Sequence, residues 1–275
     1  MSKESAMALD FAREVAQEAA EFLVEEQKKI RPETAGANLG IATKSSPRDF
    51  VTAVDRESQR RIIARLHEFD PAYRFVAEED GAEALGDPSC PFAWIVDPLD
   101  GTTPFIHNRD NFGVIIALQK EGITQCGVTC VPRRKELFHG IRGGGAFFNN
   151  TPVRLRHTRN MNDAILCSNL IHRIQDINGI PMVTVPRCAN VENYGSAAQE
   201  IGEVLKGCND GVFFLGPRLW DIAAGFLMIE EAGGRSEYVF EEPGNVRSAI
   251  RGLACTAEIF EELRGFVFEQ MGRLT

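Results

Sequence analysis

The sequence predicts a mixed fold, an α+β half followed by an α/β half, and three observations carry that expectation. Near the N-terminus Leu9, Ala12, Val15, Ala16, Ala19, Phe22 and Leu23 recur at the spacing of one helical face. In the middle of the chain three apolar runs, 112–118, 123–131 and 136–141, are separated by turns at Glu121-Gly122 and Pro132-Arg-Arg-Lys135, the pattern of an antiparallel meander. Beyond about residue 155 short strands alternate with helices instead.

Taken in order, the first helix is expected over about 5–28, with a charged outer face. Residues 31–43 contain Pro32, Gly36 and Gly40 and follow neither period, so they read as a loop and a candidate mobile lid. A polar turn at 44–49 leads to Thr52-Ala-Val-Asp55, which matches a capping box opening a helix through Leu66. A short strand, 74–77, runs into Glu78-Glu79-Asp80-Gly81. The apolar run 92–96 reads as a buried strand that Pro98 ends, because proline has no N–H to give a sheet ladder. The second half carries strands 164–167, 182–185 and 211–215, helices 197–205 and 220–231, and a C-terminal helix from Thr256. Gly233-Gly234 closes the second of those helices as a C-cap would. A soft boundary divides the chain into 1–155 and 156–275.

Composition excludes several function classes. The chain has 275 residues, 44% of them hydrophobic and 25% charged, enough to bury a substantial globular core. A net charge of −9 argues against nucleic acid or an anionic membrane as partner, and no run approaches transmembrane length. The N-terminus is amphipathic and lacks a signal-peptide core. Seven cysteines, at 90, 126, 130, 167, 188, 208 and 255, form no CxxC pair and predict reduced thiols in a cytoplasmic protein. Cys126 and Cys130 read as core packing. The five histidines show no HxH or HxxxH spacing, which disfavours zinc.

Chemistry concentrates at Trp94-Ile-Val-Asp97-Pro-Leu-Asp100-Gly101-Thr102-Thr103, where two carboxylates follow a strand and a glycine lets the backbone approach a ligand. An acidic turn with Asp100 or Thr102 as N-cap would account for one of these acids and leave the other. Asp49, Glu78, Glu79 and Asp221 likewise sit beside apolar strand ends or helix starts, without an obvious basic partner nearby in sequence. Packed together, such groups repel unless a divalent cation lies among them. Oxygen-only ligation selects Mg²⁺ or Mn²⁺. A hard cation beside a Gly-Thr turn suits hydrolysis of a phosphate ester, and no P-loop is present.

Asp97-Pro-Leu-Asp-Gly-Thr-Thr-Pro-Phe105 resembles the first signature of the inositol monophosphatase superfamily, and Trp220-Asp-Ile-Ala-Ala-Gly225 with Glu230-Glu-Ala-Gly-Gly234 resembles its second. Lys44-Ser-Ser-Pro-Arg-Asp-Phe-Val-Thr-Ala-Val-Asp55 and Phe75-Val-Ala-Glu-Glu79 match the upstream segments, in order.

The resemblance implies a layered αβαβα sandwich of the sugar-phosphatase type, assembled as a homodimer, and a Mg²⁺-dependent, Li⁺-sensitive phosphomonoesterase acting on a small phosphorylated metabolite. It implies that Glu78, Asp97 and the Leu99 carbonyl hold one Mg²⁺, that Asp97, Asp100 and Asp221 hold a second, and that a third, weaker ion uses Glu78. Asp49 and Thr102 would activate the water, with Glu79 in support, and the amides of Gly101 and Thr102 would bind phosphate. On this reading the first half carries the metal and phosphate site, and the second contributes one metal ligand and the substrate contacts. Those contacts are Gly195, Ser196 and Ala197, with Phe214 and Arg218 as further candidates. Phe214 departs from the pattern, since animal inositol monophosphatases carry a glutamate there. Inositol or sugar phosphates, histidinol phosphate and 3′-phosphoadenosine nucleotides are the substrate classes implied. The rival of another class is a non-enzymatic regulatory binding protein. A structural Ca²⁺ module lacks its D-x-[DN]-x-[DN]-G loop here.

Overall fold

The apolar stripe near the N-terminus becomes helix α1 (Lys3–Gln27), whose N-cap Ser2 accepts the amide of Ser5 at 3.0 Å. The computed structural model describes residues 2–30, 53–169 and 185–270, with the backbone of 42–43, 50–51, 175–177 and 180–182. Strands β1 (Ala42–Thr43) and β2 (Phe50–Val51) pair with each other. The rest of the expected 31–43 lid, with Lys44, Asp49 and Thr52, lies outside the described residues. Helix α2 (Ala53–Phe69) follows, longer by a turn than the sequence pattern implied.

Seven strands then lie side by side in chain order: β3 (Arg74–Ala77), β4 (Phe92–Asp100), β5 (Gly113–Lys120), β6 (Ile123–Val131), β7 (Glu136–Ile141), β8 (Gly145–Phe148) and β9 (Thr151–Pro152). β3 is parallel to β4 and every later pair is antiparallel, so the meander holds and extends to β9. Between β4 and β5 comes the short helix α3 (Thr102–Ile106).

The second half supplies β10 (Ile165–Ser168), the small hairpin β11 (Gln175–Ile177) and β12 (Ile180–Met182), and β13 (Asn190–Glu192). Helix α4 (Ala197–Leu205), β14 (Gly211–Leu215), helix α5 (Leu219–Glu231), β15 (Arg235–Phe240) and β16 (Ile250–Cys255) complete it. A second sheet forms in the order β13-β10-β14-β16-β15. Of the expected strand at 182–185, Met182 ends a hairpin outside that sheet and 183–184 lie outside the described residues, while β13, β15 and β16 carry no strand expectation. The C-terminal helix begins as a 3₁₀ turn, Ala257–Ile259, and continues as α6 (Phe260–Arg264) into a π-helical stretch, Gly265–Gln270.

Three apolar cores sort these elements into five layers. The first core joins Leu9, Ala16 and Leu23 of α1 and Ile62 of α2 to Trp94, Val96, Val114 and Ile116 on one face of the large sheet. The second joins Ile95, Ile115 and Ala117 on the opposite face to Ile201 of α4, Ala224 and Met228 of α5, and Val212 and Phe214 of the second sheet. The third joins Phe213 and Leu253 on the outer face of that sheet to Phe260 and Leu263. The order is helix, sheet, helix, sheet, helix, an αβαβα sandwich, and strand alternation assigns each residue its layer. Cys126 and Cys130 belong to the first core, and burial pushes both thiols up to about 12. Helix α5 lies against the large sheet because residue 127 is glycine; a Cβ there would stand 2.6 Å from that of Ala224.

Candidate active site

The expected stop at Pro98 does not occur. Strand β4 continues to Asp100, and its pairing with β5 shifts: Asp97 lies opposite Ile115 and Asp100 opposite Gly113. Three steps on one strand against two on the other make a β-bulge, where a proline costs no ladder bond. In a regular strand residues 97 and 100 would face opposite sides of the sheet. The extra residue turns both toward the middle helical layer, while Leu99 points into the first core. From α2 the Ser58 hydroxyl donates to the Pro98 carbonyl at 2.8 Å, and the Leu99 amide donates to Asp97 Oδ1 at 3.1 Å. Gly101, at φ 81°, then turns the chain into α3; a Cβ would meet the Asn111 carbonyl at 3.0 Å and Ser196 Cβ at 3.1 Å.

Asp221 arrives from α5, where its Oδ2 accepts the Arg218 amide at 2.6 Å across the first turn. One carboxylate oxygen from each of Asp97, Asp100 and Asp221 lies within 4.8 Å of the others. Glu78 follows β3, and its amide donates to the Val96 carbonyl at 3.2 Å, which extends the β3–β4 pairing and sets Glu78 beside Asp97. The next residue, Glu79, is gripped by the Gln59 side chain through both backbone groups, at 2.7 and 2.8 Å, and its carboxylate stands 3.6 Å from Arg56 Nε.

Asp100 is held from across the molecule. Its carboxylate accepts the Ala197 amide at 3.0 Å, the Ala198 amide at 2.8 Å and the Ser196 hydroxyl, so it is the anion at the N-terminus of α4. The preceding segment is fixed in turn, since buried Glu200 accepts the Tyr194 and Gly195 amides at 3.0 and 3.2 Å and Asn111 Nδ2 donates to the Tyr194 carbonyl.

The electrostatics follow from this packing. Burial pushes the Asp97 carboxyl well above the ordinary carboxylate range, and the charges of Glu78, Asp100, Asp221 and Asp55 push the same way. Burial raises Asp100 as well, against its three donors. Burial, opposed by the Arg218 amide and reinforced by Asp100 and Glu78, takes Asp221 up to about 8, and burial takes Glu200 to about 8. A cluster that resists its own ionisation, built of oxygen donors alone, has the chemistry of a hard divalent cation site.

The remaining expected residues fall as follows. Thr102 opens α3, its hydroxyl 3.4 Å from the Leu99 carbonyl. Gly195 (φ 73°), Ser196 and Ala197 adjoin Asp100. Arg218 lies at the start of α5, with Nη1 bound to the Arg247 carbonyl at 2.9 Å. Phe214 is 2% exposed and packed in the second core. Asp49 lies outside the described residues. Sequence reading missed Ser58, Gln59, Asn111, Glu200 and Arg247. For the first two a signal existed: Asp55, Ser58 and Gln59 occupy the inward stripe that Ile62, Ile63 and Leu66 continue.

Residues 5–269 match the family model described as the inositol monophosphatase family. The chain belongs to that family. An inositol-1-monophosphatase of Mesorhizobium japonicum is 38% identical over 201 residues, 72% of this chain and 74% of its own. A protein of Pasteurella multocida named Nus factor SuhB is 35% identical over 196 residues, 70% of this chain and 73% of its own. Among solved structures, the extragenic suppressor protein suhB of Bartonella henselae superposes with a TM-score of 0.78 at 27% identity, over 94% of this chain and 98% of its own. As a member of that family, the chain is a phosphoric monoester hydrolase with an α+β layered sandwich fold. Among the described residues no helix is long and apolar enough to cross a membrane.

Proposed function

We propose that the chain is a Mg²⁺-dependent phosphomonoesterase that hydrolyses a small phosphate ester of the inositol or sugar phosphate type. The observation that carries this reading is the trio Asp97, Asp100 and Asp221, drawn from both halves of the chain to within 4.8 Å. Their partners are the amides of Leu99, Ala197, Ala198 and Arg218 and the Ser196 hydroxyl.

In this reading Glu78, Asp97 and the Leu99 carbonyl hold one Mg²⁺, Asp97, Asp100 and Asp221 a second, and Glu78 a weaker third, with Mn²⁺ as the substitute ion. Bound there, Mg²⁺ polarises the phosphoryl oxygens and makes hydroxide accessible at neutral pH. Thr102 and Asp49 orient the attacking water and help take its proton, with Glu79, whose backbone Gln59 holds, in support. The amides of Gly101 and Thr102 hold the phosphate, and Gly195, Ser196 and Ala197 meet the alcohol portion. Histidinol phosphate and 3′-phosphoadenosine nucleotides are the alternative substrates. Li⁺ inhibition, a cytoplasmic location and assembly as a homodimer complete the proposal.

A second reading, a regulatory binding protein without turnover, is favoured by one observation: a relative named Nus factor SuhB is 35% identical, nearly as similar as the named phosphatase. Phosphate release from inositol 1-phosphate, fructose 1,6-bisphosphate, histidinol phosphate and 3′-phosphoadenosine 5′-phosphate, with Mg²⁺ and with EDTA, separates the two. Turnover of at least one ester that EDTA abolishes is expected. No release from any ester by folded protein at any Mg²⁺ concentration would favour the regulatory reading.

A further inference from the structure

Arg247 lies in the connection between β15 and β16, yet its side chain serves the first sheet. Nη1 donates to the Ala77 carbonyl at 2.8 Å and to Glu83 Oε1 at 2.6 Å. Nη2 donates to the Glu78 carbonyl at 3.1 Å and stands 3.5 Å from Asp80 Oδ1. The guanidinium lies over the Trp220 ring, 5.3 Å from its centroid. Arg247's own carbonyl accepts Arg218 Nη1 at 2.9 Å, and the Arg218 amide in turn donates to Asp221.

These contacts form one path from the backbone of Glu78 to the carboxylate of Asp221. Among the described residues β3 is the edge strand of its sheet, and on its inner side, where the Glu78 amide bonds Val96, the residue in step to donate back is Pro98, which has no N–H, so these carbonyls take donors from elsewhere. A guanidinium suits them because its planar fork spans two successive carbonyls, which an ammonium on a flexible stem does not. The ring of Trp220, one residue before Asp221, adds a cation–π contact to the guanidinium.

We infer that Arg247 is a positioning residue for the metal site, setting the separation between Glu78 on the first sheet and Asp221 on α5. The inference rests on the reading of these carboxylates as Mg²⁺ ligands. It makes a prediction whose sign a bare charge effect reverses. A cation near a carboxylate cluster repels Mg²⁺, so removing it as a charge alone tightens binding, whereas removing a positioning contact weakens it.

The test is calorimetric titration of the full chain with Mg²⁺ in the absence of substrate, for wild type, Arg247→Ala, Arg247→Lys and Glu83→Gln. Arg247→Ala is expected to bind Mg²⁺ about tenfold more weakly, the usual scale for losing a group that orients a metal ligand. Arg247→Lys, which keeps the charge and loses the fork, should fall between the two, and Glu83→Gln should match wild type. Wild-type or tighter Mg²⁺ binding by Arg247→Ala overturns the inference. If that variant does not fold, wild-type affinity in Arg247→Lys overturns it equally. A wild type that binds no Mg²⁺ overturns the parent reading and this inference with it; binding that is indifferent to Arg247 overturns this inference alone.

Discussion

Asp100 Oδ2 accepts the amide of Ala198 at 2.8 Å, although 98 residues separate the two. A carboxylate of the first half thus closes the N-terminus of a helix in the second, and the helix holds that carboxylate in one orientation without neutralising it. The donor set also includes Ser196, whose hydroxyl both donates to Asp100 and accepts the Gln199 amide at 3.2 Å.

Ser196→Ala removes both functions at once. It should cost about 1 kcal/mol as a lost helix cap and lower the melting temperature by about 2–4 °C. It should also raise the Mg²⁺ concentration needed for half-maximal turnover, because Asp100 loses one of its anchors. Ser196→Thr should restore both. A thermal loss with unaltered Mg²⁺ dependence would show that Ser196 is only a cap.

The metal-free protein should become less stable as pH rises from about 4.5 to about 8. Asp221 and Glu200 have folded values near 8 against ordinary values of 3.8 and 4.5, so across that window the folded state binds more protons than the unfolded one. Their contribution is complete below the ordinary values and is lost as pH climbs through the folded ones. Carboxylates held low, such as Glu57 near 2 beside Arg60 and Arg61, change only at the acid end. Mg²⁺ replaces the protons, so its stabilising effect should be larger at pH 8 than at pH 5.5. Melting curves in EDTA and in Mg²⁺ at both pH values decide this; a Mg²⁺ shift that shrinks at pH 8 would contradict it.

Phe214→Glu would introduce the glutamate that the family resemblance leads one to expect at this position, but the side chain is 2% exposed, on the strand face that packs against the middle helical layer. Loss of the ring and burial of a carboxylate should cost at least about 3 kcal/mol, read as a shift in the denaturation midpoint. A variant with the wild-type midpoint and a higher kcat/KM for inositol 1-phosphate would show instead that position 214 reaches the substrate.

Much of this architecture was legible beforehand because period and punctuation are local properties. Leu9 to Leu23 carry a helical face on their own, and the turns at Glu121-Gly122 and Pro132–Lys135 separate strands that pair with their immediate neighbours. β13 was not legible, being three residues at a sheet edge, nor was β15, whose residues are mostly half-exposed and alternate weakly. At Pro98 the local signal misled: proline ends a regular strand, but a bulge needs no N–H from it, and only the partner strand reveals the shift. The acidic residues were visible as residue types beside strand ends. The devices that aim them, Ser58 on Pro98, Gln59 on Glu79 and Arg247 on Glu78, join segments remote in sequence.

Asp97 is the residue on which the central claim turns, since it stands among Glu78, Asp100 and Asp221 and is shared by both proposed ions. Asp97→Asn keeps an oxygen for the Leu99 amide, removes one of the mutually repelling charges and removes a ligand. The most direct measurement is the melting temperature of wild type and Asp97→Asn in EDTA and in saturating Mg²⁺, alongside phosphate release. The expected result is a variant that melts higher than wild type in EDTA, gains little from Mg²⁺ and releases almost no phosphate. A variant that melts lower in EDTA, responds to Mg²⁺ as wild type does and keeps near-wild-type turnover would contradict the assignment of these carboxylates to a catalytic metal site.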